Sequence, residues 1–196
     1  MKNETTAKRS NLRLVWPAGE YLASYIHALE QGWSPDNTRA EAGREELARI
    51  REDPKRFLAE QVDREARGGP VVLPDGSTVE RLPGYKLWMW DGEFAGIVGF
   101  RWRPGTTDLP PTCLGHLGYA VVPWKRRRGY ATQALAMALE EIRKERLPFI
   151  EITTDEDNVA SQRVIEANGG RLVERFLKAG AYGGGKGLRY RVPLEI

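Results

Sequence analysis

Hydrophobic positions along the chain fall into runs with two different periods. Residues 12–16, Leu-Arg-Leu-Val-Trp, form a short apolar and aromatic run, and after Pro17 the residues Tyr21, Leu22, Tyr25, Ile26 and Leu29 recur at helical spacing. The pattern predicts a strand and then a helix ending at Gly32. From about Thr38 to Val62 a charged stretch carries Leu47, Ile50, Phe57, Leu58 and Val62 on an irregular apolar face, split by Pro54. Its Arg and Glu residues read as a solvated helix face supported by i,i+4 pairs. Turn signals at 66–70 and 74–77 flank Val71 to Leu73, which leaves room for one small ribbon.

Tyr85–Trp90 and Phe94–Arg103 meet across Asp91-Gly92-Glu93 as a hairpin with aromatics on both arms. After the loop at 106–112, Leu114 to Val122 predicts a third long strand closed by Pro123. Ala131 to Arg146 predicts a helix with Ala131, Leu135, Ala138, Leu139 and Ile142 on one face. Phe149–Thr154 reads as a buried strand. Asp157 or Asn158 can cap the next helix, which runs to about Ala167 and stops at Gly169-Gly170. Arg171–Leu177 and Leu188–Leu194 are the closing strands around the loop KAGAYGGGKG. The order is mixed α/β, with a β-α-β crossover at its centre.

Composition narrows the class. The chain has 196 residues, 41% hydrophobic and 29% charged, enough for one domain with its own core and too apolar for a disordered chain. Thirty Lys and Arg against 27 Asp and Glu leave +3, which disfavours a dedicated nucleic-acid binder. One cysteine, Cys113, cannot close a bridge within the chain, and the polar start lacks the apolar run of a secretion signal, so a cytoplasmic location is expected. No run approaches the roughly 20 apolar residues that span a bilayer, so no membrane partner is expected. No metal site is expected either.

The segment AVVPWKRRRGYATQAL holds the main chemical signal. A strand ends, and Arg126-Arg127-Arg128-Gly129-Tyr130-Ala131 leads into a helix. Free N–H groups and the positive end of the dipole at such a junction attract phosphate, and Gly129 lets the backbone approach without a Cβ. An ordinary basic turn before a helix has the same local pattern.

Arg126-x-x-Gly129-x-Ala131, together with Asn158-x-x-Ser161 in DNVASQRVIEANGG, resembles the two cofactor segments of the GCN5-related N-acetyltransferase (GNAT) superfamily. GHLGYAV at 115–121 is similar to a poorly characterised bacterial branch of it. The likeness covers about 85–194, and it implies a single GNAT-like domain. In that domain a central, mostly antiparallel mixed sheet has helices on both faces, and a splayed parallel strand pair holds acetyl-CoA. Residues 1–84 would then form the acceptor side and 85–194 the acetyl-CoA core. By position, the resemblance assigns main-chain groups of Tyr119, Ala120 and Val121 to the pantetheine arm. It also assigns Arg127, Arg128, Gly129, Tyr130, Ala131 and Thr132, with Arg126, to the pyrophosphate. Asn158 and Ser161 would contact the pantetheine or adenosine side, with Arg163 a phosphate partner. Taken alone, Asn158 reads as a helix cap and Ser161 as a surface residue.

The resemblance further implies direct attack of a neutral amine on the thioester. A backbone N–H near Ala120 or Val121 would stabilise the oxyanion, and a base is needed because an alkyl amine near pKa 10 is protonated at neutral pH. The tyrosine that many relatives carry as the acid, seven residues after Asn158, is here Ile165. Tyr182, Tyr190 or water remain for that role. His116 and Glu151 are the candidate bases, His116 being read also as a core histidine. Trp88, Trp90 and Trp102 read as packing, Trp33 and Trp124 as rim or acceptor-pocket residues, and Asp155-Glu156-Asp157 as helix capping. The acceptor class is a primary amine of a small molecule or peptide, and relatives are often homodimers. A non-catalytic acyl-CoA sensor is the alternative that Ile165 motivates, and a nucleic-acid domain built on the basic turn is a weaker third.

Overall fold

A computed structural model describes residues 11–194. In chain order the elements are β1 (Arg13–Val15), α1 (Gly19–Glu30), α2 (Ala42–Glu52), α3 (Pro54–Ala59), β2 (Val62–Asp63), β3 (Val71–Val72), β4 (Thr78–Val79), β5 (Gly84–Trp90), β6 (Phe94–Arg101) and β7 (Leu117–Val121). They continue as α4 (Tyr130–Ile142), β8 (Phe149–Asp155), α5 (Val159–Glu166), β9 (Arg171–Leu177) and β10 (Lys186–Pro193). Strands β1-β5-β6-β7 form an antiparallel sheet, with β2 also on β5. Strands β8-β10-β9 form a second antiparallel group, and β3-β4 form the small ribbon. The crossover through α4 brings β8 alongside β7 in the same direction, joining the two groups.

Alternation along the hairpin explains why helices cover both faces. Leu87 and Met89 on β5 and Val98 on β6 pack with Leu135, Ala138 and Ile142 of α4 and Ile165 of α5. Trp88 and Ile97, one residue out of phase, pack with Tyr25, Leu29, Ile50 and Phe57 of α1–α3. Trp88 stacks on Tyr25 with ring centroids 4.4 Å apart, so its packing role holds. Trp33 belongs to the same cluster, against Tyr25 and Phe94, and is buried. Trp124, by contrast, is exposed.

Two boundaries differ from the expected ones for physical reasons. The predicted strand 114–122 forms its ladder only from Leu117 to Val121, because His116 keeps only its carbonyl on β6 and gives its N–H to Glu151 on β8. A Cβ on Gly115 would lie 3.0 Å from the Glu151 carbonyl oxygen and 3.3 Å from the Thr153 nitrogen, a closeness that glycine admits most easily. The predicted helix 131–146 stops its α-helical turns at Ile142 and ends in a tight turn, Arg143–Glu145, before Arg146 at φ +56°. Among the described residues no helix is long and apolar enough to cross a membrane.

Candidate active site: an open strand edge beside a phosphate loop

The two anchors of β7 on β6 are Arg101 N–H to His116 C=O (2.9 Å) and Val122 N–H to Ala95 C=O (3.0 Å). In an antiparallel ladder the bonded pairs alternate, so Gly118 and Ala120 turn their main-chain groups toward β6. Leu117, Tyr119 and Val121 turn theirs the other way, into the space between β7 and β8. Ala120, expected to pair with the cofactor or hold the oxyanion, thus has its backbone committed elsewhere. Tyr119 and Val121 carry the open edge.

Side chains occupy that edge. Asn37 Nδ2 donates to the Tyr119 carbonyl at 3.4 Å, and Arg126 Nε donates to the Val121 carbonyl at 3.1 Å. Both donors are exposed and withdrawable. Each puts an N–H donor on a carbonyl of the edge, as a further strand would. Asn37 was not foreseen, since its loop WSPDN carries only a turn signal.

At the end of β7 the chain turns through Pro123–Lys125 into α4. Arg127 lies at φ +61° and Gly129 at φ +74°, so the segment before the helix holds a non-glycine residue in the left-handed region. Tyr130 begins the helix. Its first-turn N–H groups, with those of Ala131 and Thr132, lack intrahelical partners. Free N–H groups at a helix start, with the positive end of its dipole, suit an anion. Lys125, in the basic run ahead of the loop, is buried, with Nζ 2.6 Å from Asp91 Oδ1, so its charge is directed away from the loop. The Tyr130 hydroxyl donates to Asp91 Oδ2 at 2.7 Å, so this side chain also faces away from the loop. Asp91, in the β5–β6 turn, therefore clamps both ends of the 125–130 segment from beneath. These two hydrogen bonds hold the Asp91 carboxyl below the usual range, against the opposing effect of burial. Arg126 is engaged with Val121 and Arg128 with the Trp124 carbonyl.

On the far side of the gap, Asn158 caps α5 by accepting the Ser161 N–H at 3.0 Å. The Ser161 hydroxyl is 2.7 Å from the Tyr119 hydroxyl, which reaches across from β7. Burial pushes the Tyr119 phenol up to about 12, with the Ser161 bond opposing in part. Ile165, a turn further along α5, is fully buried and lies 2.3 Å from the position a Cβ on Gly170 would take. The acidic run after β8 is ion-paired more than capping: Asp155 bonds Lys178, and Glu156 bonds Arg175.

The four side chains expected to move protons have different surroundings. His116 is fully buried, and its Nδ1 accepts the Glu151 N–H at 3.0 Å. Burial lowers its pKa to about 4, with Arg101 adding to the effect and the Glu151 carboxylate opposing it. It is thus a neutral, enclosed ring, in line with its reading as a core histidine. The Glu151 carboxylate is held by Arg189 at 3.0 Å and Arg191 at 2.9 Å. It lines a cavity of about 310 Å³ together with Cys113, Phe149 and both arginines, under the 106–114 strap. Tyr182 ties the β9–β10 loop to that strap by donating to the Thr112 carbonyl. Its pKa is raised by burial, so it keeps its proton at neutral pH. Tyr190 is buried, donating to Glu166 at 3.2 Å, and is removed from the gap.

The fold thus sets an open strand edge beside an αL loop and the N-terminus of α4, an arrangement suited to an extended ligand that ends in an anionic group. The match to a family model, described as an acetyltransferase (GNAT) domain, spans residues 36–171. The chain belongs to the GNAT acetyltransferase family. Curated protein sequences give no match. Among solved structures it resembles the microcin C7 self-immunity acetyltransferase MccE, in complex with acetyl-CoA and AMP. The TM-score is 0.61 at 14% identity, covering 93% of this chain and 92% of that one. It also resembles RimL, a ribosomal L7/L12 α-N-protein acetyltransferase bound to CoA (TM-score 0.58, 15% identity, 93% and 94% covered). YncA, a putative acetyltransferase from Salmonella typhimurium bound to acetyl-CoA, is a third (TM-score 0.54, 16% identity, 94% and 93% covered). At these identities the likeness concerns the fold.

Proposed function

We propose that the chain transfers the acetyl group of acetyl-CoA to a primary amine of a small molecule or peptide. The observation that carries this is the Tyr119–Val121 edge, open toward β8 and running directly into the αL loop and N-terminus of α4. The pantetheine arm would replace Asn37 and Arg126 at the Tyr119 and Val121 carbonyls. Main-chain N–H groups from Gly129 to Thr132, with Arg127, would hold the pyrophosphate. The thioester supplies the activated acyl group. The Val121 N–H, on the same edge, would donate to the charge that develops on the carbonyl oxygen. Tyr182, whose hydroxyl donates to the Thr112 carbonyl, would act as the acid only by exchanging that bond. With His116 enclosed and Glu151 doubly ion-paired, the proton of the incoming ammonium leaves through water. A carrier thiol near pKa 8.5 demands little from an acid.

Acyl-CoA sensing without turnover is the second reading, favoured by the buried Ile165 and the two occupied candidate bases. Calorimetric titration with acetyl-CoA, CoA and ATP tests the shared part: a micromolar preference for the CoA species is expected, and no binding refutes both readings. Free-thiol release against an amine panel then separates them. Turnover is expected for the enzyme and none for the sensor.

A further inference from the structure

The gap between β7 and β8 is closed at one end and open at the other. At the inner end His116 N–H donates to Glu151 C=O at 2.7 Å, and Glu151 N–H donates to His116 Nδ1 at 3.0 Å. At the outer end β7 runs through Pro123–Lys125 to Gly129 and the start of α4. An extended carrier with its anionic end at α4 therefore passes Val121 first and Tyr119 next, and its reactive end stops short of the His116–Glu151 rung. Tyr119 stands about 7 Å inward of Val121 along the strand. The next edge residue, Leu117, adjoins the rung and is apolar and buried. Of these three edge residues, Tyr119 alone carries a side-chain O–H.

That hydroxyl reaches over the gap. The Tyr119 ring packs against the cluster that contains Leu135 of α4 and Ile165 of α5. Its hydroxyl meets the first turn of α5, 2.7 Å from Ser161 Oγ and 3.3 Å from the Ser161 carbonyl oxygen. Either hydroxyl can supply the proton of the shorter bond. When Ser161 donates it, the phenol proton keeps only the long contact to the carbonyl and is free to turn to a closer acceptor. Ile165, one turn along the same helix, has no proton to offer.

We propose that Tyr119 is a catalytic residue of the transfer: its hydroxyl donates a hydrogen bond to the carrier sulfur as the C–S bond breaks and negative charge gathers there. The inference deepens the acetyl-CoA reading and rests on it. The donor comes from β7, across the gap from the helix that carries Ile165. Burial holds the Tyr119 phenol at about 12, far above the value near 8.5 of a free carrier thiol, so the phenol keeps its proton and water protonates the departing thiolate. Its contribution is charge stabilisation by an oriented donor.

The thiol of bound CoA reads this hydrogen bond without turnover. Its pKa follows from the ultraviolet absorbance of the thiolate, taken as the difference between complexes with CoA and with desulfo-CoA, which cancels the protein's own tyrosines and Cys113. In wild type the bound thiol is expected to titrate about one unit or more below 8.5, and in Tyr119→Phe to return to about 8.5 or above. With acetyl-CoA, Tyr119→Phe is expected to lower kcat about tenfold or more, with KM within about threefold of wild type. Ser161→Ala, which removes the serine hydroxyl and leaves the phenol, should keep the lowered thiol value. An unshifted thiol in wild type, or the same lowered value in Tyr119→Phe, overturns the proposal. So does a shift lost in Ser161→Ala and kept in Tyr119→Phe, which would make the serine the donor. No CoA binding by calorimetry refutes the acetyl-CoA reading and the proposal with it, whereas CoA bound with an unshifted thiol refutes the proposal alone.

Discussion

Acidification from pH 7 to pH 5 is expected to weaken the fold through one imidazole. His116 carries a pKa near 4 in the folded protein against 6.5 for the free side chain, with burial the largest cause. Because the folded value is the lower one, the unfolded chain binds more protons between those two pH values. The stability contributed by the neutral ring is therefore complete above pH 6.5 and is lost as pH falls toward 4. Each unit of difference is worth about 1.4 kcal/mol, so the whole contribution is about 3 kcal/mol, of which about 2 kcal/mol is gone at pH 5. Geometry agrees in sign: protonated Nδ1 would set a ring N–H against the Glu151 N–H, two donors facing each other. Carboxylates held low by partners, such as Asp63 and Asp91, lose their contributions at lower pH than this window. Urea unfolding at pH 7 and pH 5 of wild type and His116→Leu reads the effect. Wild type should lose about 2 kcal/mol more than the variant. Equal losses would refute the assignment of a low folded pKa to this ring.

Gly129→Asp should abolish CoA binding, since it places a side chain and a negative charge at φ +74° before α4. Unchanged affinity by calorimetry in a folded variant contradicts the phosphate site. Asp91→Asn leaves buried Lys125 with Glu93 alone as a charged partner, and should lower thermal stability by about 3 kcal/mol and weaken CoA binding severalfold. A melt that falls with unchanged CoA affinity would show that the loop keeps its shape without the clamp. Asn158→Ala removes a helix cap and should cost about 1 kcal/mol in urea unfolding. A tenfold loss of CoA affinity at full stability would instead assign that side chain to the cofactor.

Much of the fold was legible because its elements are locally specified. The period of two in Leu87–Trp88–Met89 and the helical spacing of Leu135, Ala138 and Ile142 each report a face, and both faces are covered as those periods require. The junction into α4 is legible for the same reason: a strand end, a glycine and a helix start are adjacent in sequence. Charge counting misled there. Lys125 reads as part of a basic run, yet its partner Asp91 lies 34 positions away in a turn that signals only a turn. Asn37 escaped notice likewise, because its contact with Tyr119 crosses 82 positions.

Proton transfer was the illegible half, and strand parity explains why. His116 and Glu151 look available in sequence because each is a titratable residue on a central strand. What each does depends on whether its neighbours' main-chain groups point to β6, to β10 or into the gap, and a shift of one residue reverses the answer. Leu194 N–H bonds Pro148 C=O, which turns Ile150 and Ile152 toward β10 and leaves the backbone of Glu151 and Thr153 facing β7. The same count on β7 separates Tyr119 and Val121, which are open, from Ala120, which is bonded to β6. A titratable side chain where these two registers meet is drawn first into satisfying the buried groups of the splay. At His116 that demand fills Nδ1 with the Glu151 N–H, and burial keeps the ring neutral.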